Sequence, residues 1–567
     1  MNELIKILGI NYGGHDTSAC LMVDGQFVAC CEEERYNKIK HTREFPINAI
    51  EDCLKKGNIT LDDVDEIAMT YNPDVFKSDN LVGKMRRTLP NKIEYREILK
   101  EKLGYVGKVS FHLHHLCHIA SAYYPSGFNN ALLISNDGIG EIDCSLIAGG
   151  DDGNINILHN GNRWPNSIGL FYTAITAYLG WKPHYDEGIV MGLAPYGDDN
   201  EIIPEYNRTY REVFEEMIFE VDDFDYEINP YWLAFHKVRD KWVSDNFVKV
   251  FGPRKKWEDE ITQHHKNIAC AVQRRLENMV MKQLKIAIEK YGYNKLCIAG
   301  GVGLNCSLNG KIEKSGIFDE IFVQPASGDN GTPIGACYLS YKNYNKNLKP
   351  KKTHNFYLGS SFTDDEIKRD LDNILDKTDD DWSYHKSDNV YEETAKIIND
   401  KKIVAWFQGG AEFGPRALGN RSILVSTYPA SMKDYINEKV KFREEFRPFA
   451  PAVLYEHKND YFDLSQESPH MLMACKTHKD KIKDIPSIVH VDDSARAQTV
   501  KEENNPKFRK LLEEFHKLTG CAVLLNTSFN VKGQPIVNSP EDAIKCFLST
   551  KIDVLVIGNF IAYKSKG

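Results

Sequence analysis

An apolar strand that runs directly into a glycine-rich turn occurs three times in this chain, as IKILGINYGG (5–14), NALLISNDGIGE (130–141) and KLCIAGGVGLN (295–305). Buried strands need partners for their backbone groups, and glycine at a strand end lets other atoms approach the main-chain N–H groups. The repeated unit therefore predicts an α/β protein whose chemistry sits at strand ends. In the first unit Asp24-Gly25 separates SACLMV from QFVACCE, a strong hairpin signal. Strand, Gly-Gly turn and hairpin together suit a phosphate-binding loop beside a mixed sheet. In the third a helix follows the glycines, so its N-terminal N–H groups face whatever anion the turn admits. A single such turn is more often only a turn.

At 567 residues the chain exceeds one hydrophobic core, and two or more domains are expected. The polar, lysine-rich NYNKNLKPKKTH (343–354) reads as a linker. Beyond it FTDDEIKRDLDNIL and NVYEETAKIINDKK have helical spacing, and the strand IVAWFQG opens a further domain near Ile403, its leading helix belonging to the same unit. A net charge of -10 argues against a nucleic-acid backbone as the main partner. No apolar run has membrane-spanning length, and the first residues lead into a strand instead of a signal peptide, so a cytoplasmic protein is expected. Thirteen cysteines, an odd number at irregular spacing, fit reduced thiols. Cys30 and Cys31 are strand neighbours that point to opposite faces and make no metal site.

FHLHHLCHIASAYY (111–124) crowds four histidines onto the start of an apolar helix. His114 and His118 are four apart and share one face, the spacing of two-histidine metal sites, whereas His112 and His115 point elsewhere. Asp137 follows the strand ALLIS in a loop with Gly138 and Gly140. Asp329 follows EIFVQP and precedes a helix-like run. Two imidazoles with carboxylates suit iron, manganese or zinc with positions left for substrate oxygens. Histidines that only cap or fill the core are the alternative reading of the same spacing.

A second constellation is cationic. GGAEFGPRALGNRSIL (409–424) sets Arg416 and Arg421 in a glycine-rich loop, and EKVKFREEFRPFAPAVL adds Lys441, Arg443 and Arg447 among aromatics. DDSARAQTV supplies Arg496, and the strand of CAVLLNTSFNVKGQPI ends in Asn526, Thr527, Ser528 and Asn530. Guanidinium forks with small polar donors at strand ends suit a polyphosphate. Solvated surface charges are the common alternative, but neighbouring Gly, Pro and Phe favour a pocket for a small anion.

These residues carry a resemblance. GINYGGHDTSACL, HHLCHIASAYYPSGF, GIVMGLAPYG, AGGVGLNCSLN and FGPRALGNRSIL through LNTSFN resemble the O-carbamoyltransferases of antibiotic and nodulation-factor biosynthesis, in order along essentially the whole chain. The resemblance implies an actin-like, sugar-kinase-type N-terminal domain of two related subdomains over 1–352. A linker region over 353–385 and a YrdC-like α/β domain over 386–567 follow. It implies ATP, with Mg2+, and carbamoyl phosphate as substrates of the second domain, which makes carbamoyl adenylate. A hydroxyl of a small-molecule acceptor, a natural product or sugar, takes the carbamoyl group at a metal site in the first domain, with iron as the family precedent.

Carried onto this sequence, the resemblance makes His114, His118, Asp137 and Asp329 the metal ligands and His15 the catalytic residue. Arg416, Arg421, Lys441, Arg447, Arg496, Asn526 and Ser528 would hold carbamoyl phosphate and ATP, and Gly138, Ser167, Gly300, Gly301 and Asn305 would contact the adenylate. One departure is Ile189, where relatives often carry lysine. His15 as a turn histidine is an open alternative. Competing functions are a metal-dependent small-molecule kinase, and a nucleotide-binding scaffold or hydrogenase-maturation-type carbamoyl carrier, for which paired CxxC spacing is missing. The acceptor pocket is expected between 48 and 108 and between 200 and 265, where aromatics offer stacking surfaces. Homodimerisation is left open.

Overall fold

The computed structural model of the chain describes residues 4–77, 89–238, 240–378 and 381–564. Part of the expected acceptor segment, 78–88, lies outside them. The chain divides into two compact units.

The first unit comprises Met1–His15, Met22–Gln26 and Thr60–Lys352. The strands Lys6–Asn11, Glu66–Met69 and Lys108–Phe111 run parallel, in register Ile7 to Glu66 and Ile67 to Val109. A second sheet has the order Glu320–Val323, Lys295–Ala299, Asn130–Asn136, Ser145–Asp151, Asn154–His159. Its first three strands are parallel and the rest antiparallel. The strands Lys6–Asn11, Asn130–Asn136 and Lys295–Ala299 are almost wholly buried and mostly apolar, as strands covered on both faces require. The helices His114–Ser126 and Thr332–Tyr344 cross so closely that a Cβ on Gly335 would stand 1.8 Å from the Cys117 carbonyl oxygen. Only glycine permits that approach.

The turns after these parallel strands carry His15, Tyr71, His114, Asp137, Gly300 and Asp329. Every one of those turns lies at a carboxyl end, where open α/β sheets bind ligands. Asp24 and Gly25 have φ of 46° and 78°, both positive as a type I′ turn demands.

The second unit comprises Asp16–Leu21, Phe27–Ile59 and Thr353–Gly567. Its eight-stranded sheet has the order Trp382–Lys386, Phe560–Lys564, Val554–Ile557, Val404–Phe407, Arg421–Ser426, Val523–Ser528, Ala450–Leu454, Gln498–Val500. Trp406, Leu424, Leu525 and Phe547 are part of one apolar core beneath it. The two helical patterns read from the sequence form Asp364–Leu375 and Val390–Asn399. Thr363 opens the first with a capping box closed by Glu366. The segment 353–385 thus contains that helix and the start of the strand Trp382–Lys386, which pairs with Phe560–Lys564. All thirteen cysteines are free thiols, and all but Cys521 are buried. Among the described residues no helix is long and apolar enough to cross a membrane.

Candidate metal centre and anion site

The helix His114–Ser126 starts where the strand Lys108–Phe111 ends, and the carboxylate of Glu141 takes the place of a side-chain cap. It accepts the His114 N–H at 3.1 and 3.2 Å and the Asn72 N–H at 2.8 Å. One helical turn then aligns His114 and His118, both fully buried, with their Nε2 atoms 3.0 Å apart. The His114 Nε2 lies 3.3 Å from Asp329 Oδ1 and 3.7 Å from Asp137 Oδ2, and the His118 Nε2 lies 3.7 and 3.9 Å from the same oxygens. One donor atom from each of the four residues falls within 4.8 Å of the others.

Tetrahedral bonds of about 2.1 Å would separate donors by about 3.4 Å, so these spacings fit a first-row divalent ion. Two imidazoles and two carboxylates are a donor set for iron, manganese or zinc. The outer atoms are held too. Asp137 Oδ1 accepts the Gly301 N–H at 2.8 Å, and Asp329 Oδ2 accepts the Tyr71 hydroxyl at 3.1 Å. Such supporting contacts orient first-row ligands.

Electrostatics agree with geometry. Burial presses the His114 imidazole toward neutrality, but the Asp329 and Asp137 carboxylates outweigh it and lift its pKa to about 10. Against the same burial, His114 holds Asp137 and Asp329 below the usual carboxylate range, and His15 adds to the effect on Asp329. The pocket is thus built for positive charge. His115 differs, because burial and its two histidine neighbours push it down to about 3. Its nitrogens meet Ser135 Oγ at 2.8 Å and the Asp143 carbonyl at 2.9 Å. His112 meets Ser340 Oγ at 2.7 Å.

His15 is half-buried in the turn after Lys6–Asn11, its ring 6.1 Å from that of His184. Gly300 has φ of 85° and would bring a Cβ within 2.3 Å of the Asn136 carbonyl oxygen. Ser167 is fully buried, and its hydroxyl donates to the carbonyls of Gly138 at 2.7 Å and Asp137 at 3.1 Å, anchoring the Asp137 loop. Asn305 caps the helix Cys306–Ser315 and exchanges two amide bonds with Gln273. Ile189 is buried in the helix Glu187–Leu193.

In the second unit, Lys441 ends a π-helical turn, Asn437–Lys441, a feature common at functional sites. Its ammonium donates to the Ser528 carbonyl, Ser528 Oγ at 3.3 Å, the Asn530 carbonyl at 3.1 Å and Asn530 Oδ1 at 2.9 Å. Burial, then the charges of Arg443 and Arg447, drive its pKa well below the lysine range. Burial, Arg447 and Arg496 do the same to Arg443, while Glu444 opposes. Glu444 also pairs with Arg447 at 3.2 Å. Lys441, Arg443, Arg447 and Arg496 therefore gather more positive charge than their surroundings balance, which an anion would relieve. Asn526 Nδ2 bonds Gln498 Oε1 at 2.9 Å and the Ala417 carbonyl at 3.3 Å, tying the strand end to the Arg416 loop.

Arg421 has a different place. It is fully buried, its guanidinium 3.6 Å above the Phe407 ring, donating to the carbonyls of Gln408, Gly409, Asn420 and Ser360. Burial lowers its pKa to about 9. Tyr71 and Glu141 are contributors that sequence spacing does not reveal, since each acts through contacts distant in the chain.

The family model described as Carbamoyltransferase N-terminus matches residues 6–82 and 79–338, and that described as Carbamoyltransferase C-terminus matches 395–564. A Synechocystis protein is 36% identical over 611 residues, covering 99% of this chain and 97% of its own. Nodulation protein NolNO of Sinorhizobium fredii is 36% identical over 572 residues, covering 97% of this chain and 79% of its own. Among solved structures, full-length HypF in its phosphate- and nucleotide-bound form aligns with a TM-score of 0.32 and 13% identity, over 61% of this chain and 57% of that one. With both halves matched, and a relative at 36% identity along nearly its whole length, the chain belongs to the carbamoyltransferase family.

Proposed function

We propose that this carbamoyltransferase is ATP-dependent, makes carbamoyl adenylate in its second unit, and delivers the carbamoyl group to a hydroxyl of a small-molecule acceptor in its first. The observation that carries this reading is the coexistence of a buried four-donor cluster for a cation and a cation-rich strand end for an anion. Atom balance sets the steps. Water cleaves carbamoyl phosphate to carbamate and phosphate, and a carbamate oxygen displaces pyrophosphate from the α-phosphorus of ATP. The acceptor oxygen then attacks the carbamoyl carbon, and AMP leaves.

In the second unit Arg416, Lys441, Arg447 and Arg496, with Asn526 and Ser528, offset phosphate charge, and Mg2+ accompanies ATP. Arg421, its donors directed to carbonyls, supports the loop from beneath. In the first unit His15 takes the hydroxyl proton. Gly138 lets the adenylate approach the backbone, while Gly300 and Gly301, packed on Asn136 and Asp137, and the bonds of Ser167 and Asn305 fix that backbone. An ion held by His114, His118, Asp137 and Asp329, iron by family resemblance, supplies Lewis acidity. The actin-like and YrdC-like assignments of the two domains, over 1–352 and 386–567, belong to the same proposal. Reduced thiols throughout support a cytoplasmic location.

Purified protein given ATP, Mg2+ and carbamoyl phosphate is expected to release AMP and pyrophosphate. ADP as the nucleotide product would instead favour the kinase reading.

A further inference from the structure

The Arg416 loop is held from two sides. From within, Glu412 Oε1 accepts the N–H groups of Leu418 at 2.8 Å, Asn420 at 2.8 Å and Arg421 at 3.0 Å. The other hold comes from far earlier in the sequence. Arg35 Nη2 donates to the Gly414 carbonyl at 2.7 Å, Glu32 Oε2 accepts the Gly414 N–H at 3.4 Å, and Arg35 Nε closes the pair to Glu32 Oε2 at 2.8 Å. Both side chains are buried, 4% and 7% exposed.

Gly414 has φ of 121°, which side-chain-bearing residues rarely adopt, and the next residue is Pro415. Proline's φ is fixed near –65°, which removes one of the backbone rotations between the Gly414 carbonyl and Arg416. A neighbouring contact acts in the same direction. The Tyr36 hydroxyl bonds Ser360 Oγ at 3.1 Å, and the Ser360 carbonyl accepts Arg421 Nη2 at 2.8 Å.

A buried ion pair is a poor way to gain stability, because desolvation cancels most of the attraction. It is a good way to fix the two peptide planes that meet at Gly414. We propose that Glu32 and Arg35 are positioning residues of the carbamoyl phosphate site, clamping the Gly414 peptide so that Arg416 leaves the loop in the direction that meets the anion. The proposal rests on the anion-binding reading of that loop.

The test uses the full chain with Arg35→Met, Arg35→Lys and the double change Glu32→Gln with Arg35→Met, which removes both charges of the pair together. Carbamoyl phosphate binding is measured by calorimetry, and KM and kcat by pyrophosphate release. Thermal midpoint and metal binding at the His114 cluster report on folding. The double variant is expected to keep its metal binding and its midpoint within a few degrees, while KM for carbamoyl phosphate rises about tenfold or more. Arg35→Lys, keeping one of the two contacts, should fall between.

An unchanged KM in the folded double variant would overturn the clamp. So would loss of carbamoyl phosphate binding only in step with a fallen midpoint and lost metal binding, which marks a purely structural pair. A wild-type protein that binds no carbamoyl phosphate would overturn the loop's reading and the clamp with it.

Discussion

Tyr71 lies flat against His114, ring centroids 4.5 Å apart and planes 8° from parallel, and donates its hydroxyl to Asp329 Oδ2. One side chain thus touches two residues of the cluster, one through its ring and one through its hydroxyl. Removing only the hydroxyl, in Tyr71→Phe, keeps the stack and frees the carboxylate to rotate. Metal affinity should fall about tenfold, within the range that outer contacts to ligands usually contribute. Competition titration against a chelator reads it, and unchanged affinity would show that Asp329 is fixed by other means.

The metal-free cluster makes stability depend on pH in a definite direction. His114 titrates near 10 in the folded chain, against an ordinary 6.5, so the folded form binds the extra proton between those values. Its contribution is fully present below pH 6.5 and is lost as pH rises toward 10. Asp137 and Asp329 are depressed, so their contribution is present above the usual carboxylate pKa of 3.8 and is lost as pH falls below it. A bound cation takes the proton's place. Metal uptake at pH 8 should therefore release about one proton, measurable by titrating in buffers of different ionisation enthalpy. No release would mean that His114 is already neutral.

Gly335 sits where the helix His114–Ser126 and Thr332–Tyr344 touch backbone to backbone. Gly335→Ala forces the helices apart and should destabilise the chain by about 3 kcal/mol. Because His114 and His118 ride on one of those helices, metal affinity should fall as well. A thermal midpoint within a degree of wild type would contradict the close crossing.

The four-residue cluster was legible in the sequence because its signals are local. His114 and His118 announce themselves by helical spacing, and Asp137 and Asp329 by following apolar strands into glycine-bearing turns. What was not legible depends on long-range pairing. Tyr71 reaches Asp329 across 258 positions and Arg35 reaches Gly414 across 379, and no spacing rule links them. Arg416 and Arg421 look alike in GGAEFGPRALGNRSIL, yet Arg421 begins a strand and turns inward onto carbonyls. Sequence shows a cluster of cations; only the fold shows that the donors of Arg421 are taken by backbone carbonyls. The helix and the strand start within 353–385 were partly masked by the charged composition of an amphipathic surface element, although the helical spacing of 364–375 is plain.

With activation proposed for the second unit and transfer for the first, the two half-reactions should separate in two variants. Pyrophosphate release from ATP and carbamoyl phosphate reports activation, and mass-spectrometric detection of carbamoylated acceptor reports transfer. His114→Ala is predicted to keep releasing pyrophosphate while forming no carbamoylated product, and Arg447→Ala to lose pyrophosphate release altogether while still binding metal. Equal loss of pyrophosphate release in both variants, each folded, would contradict that division.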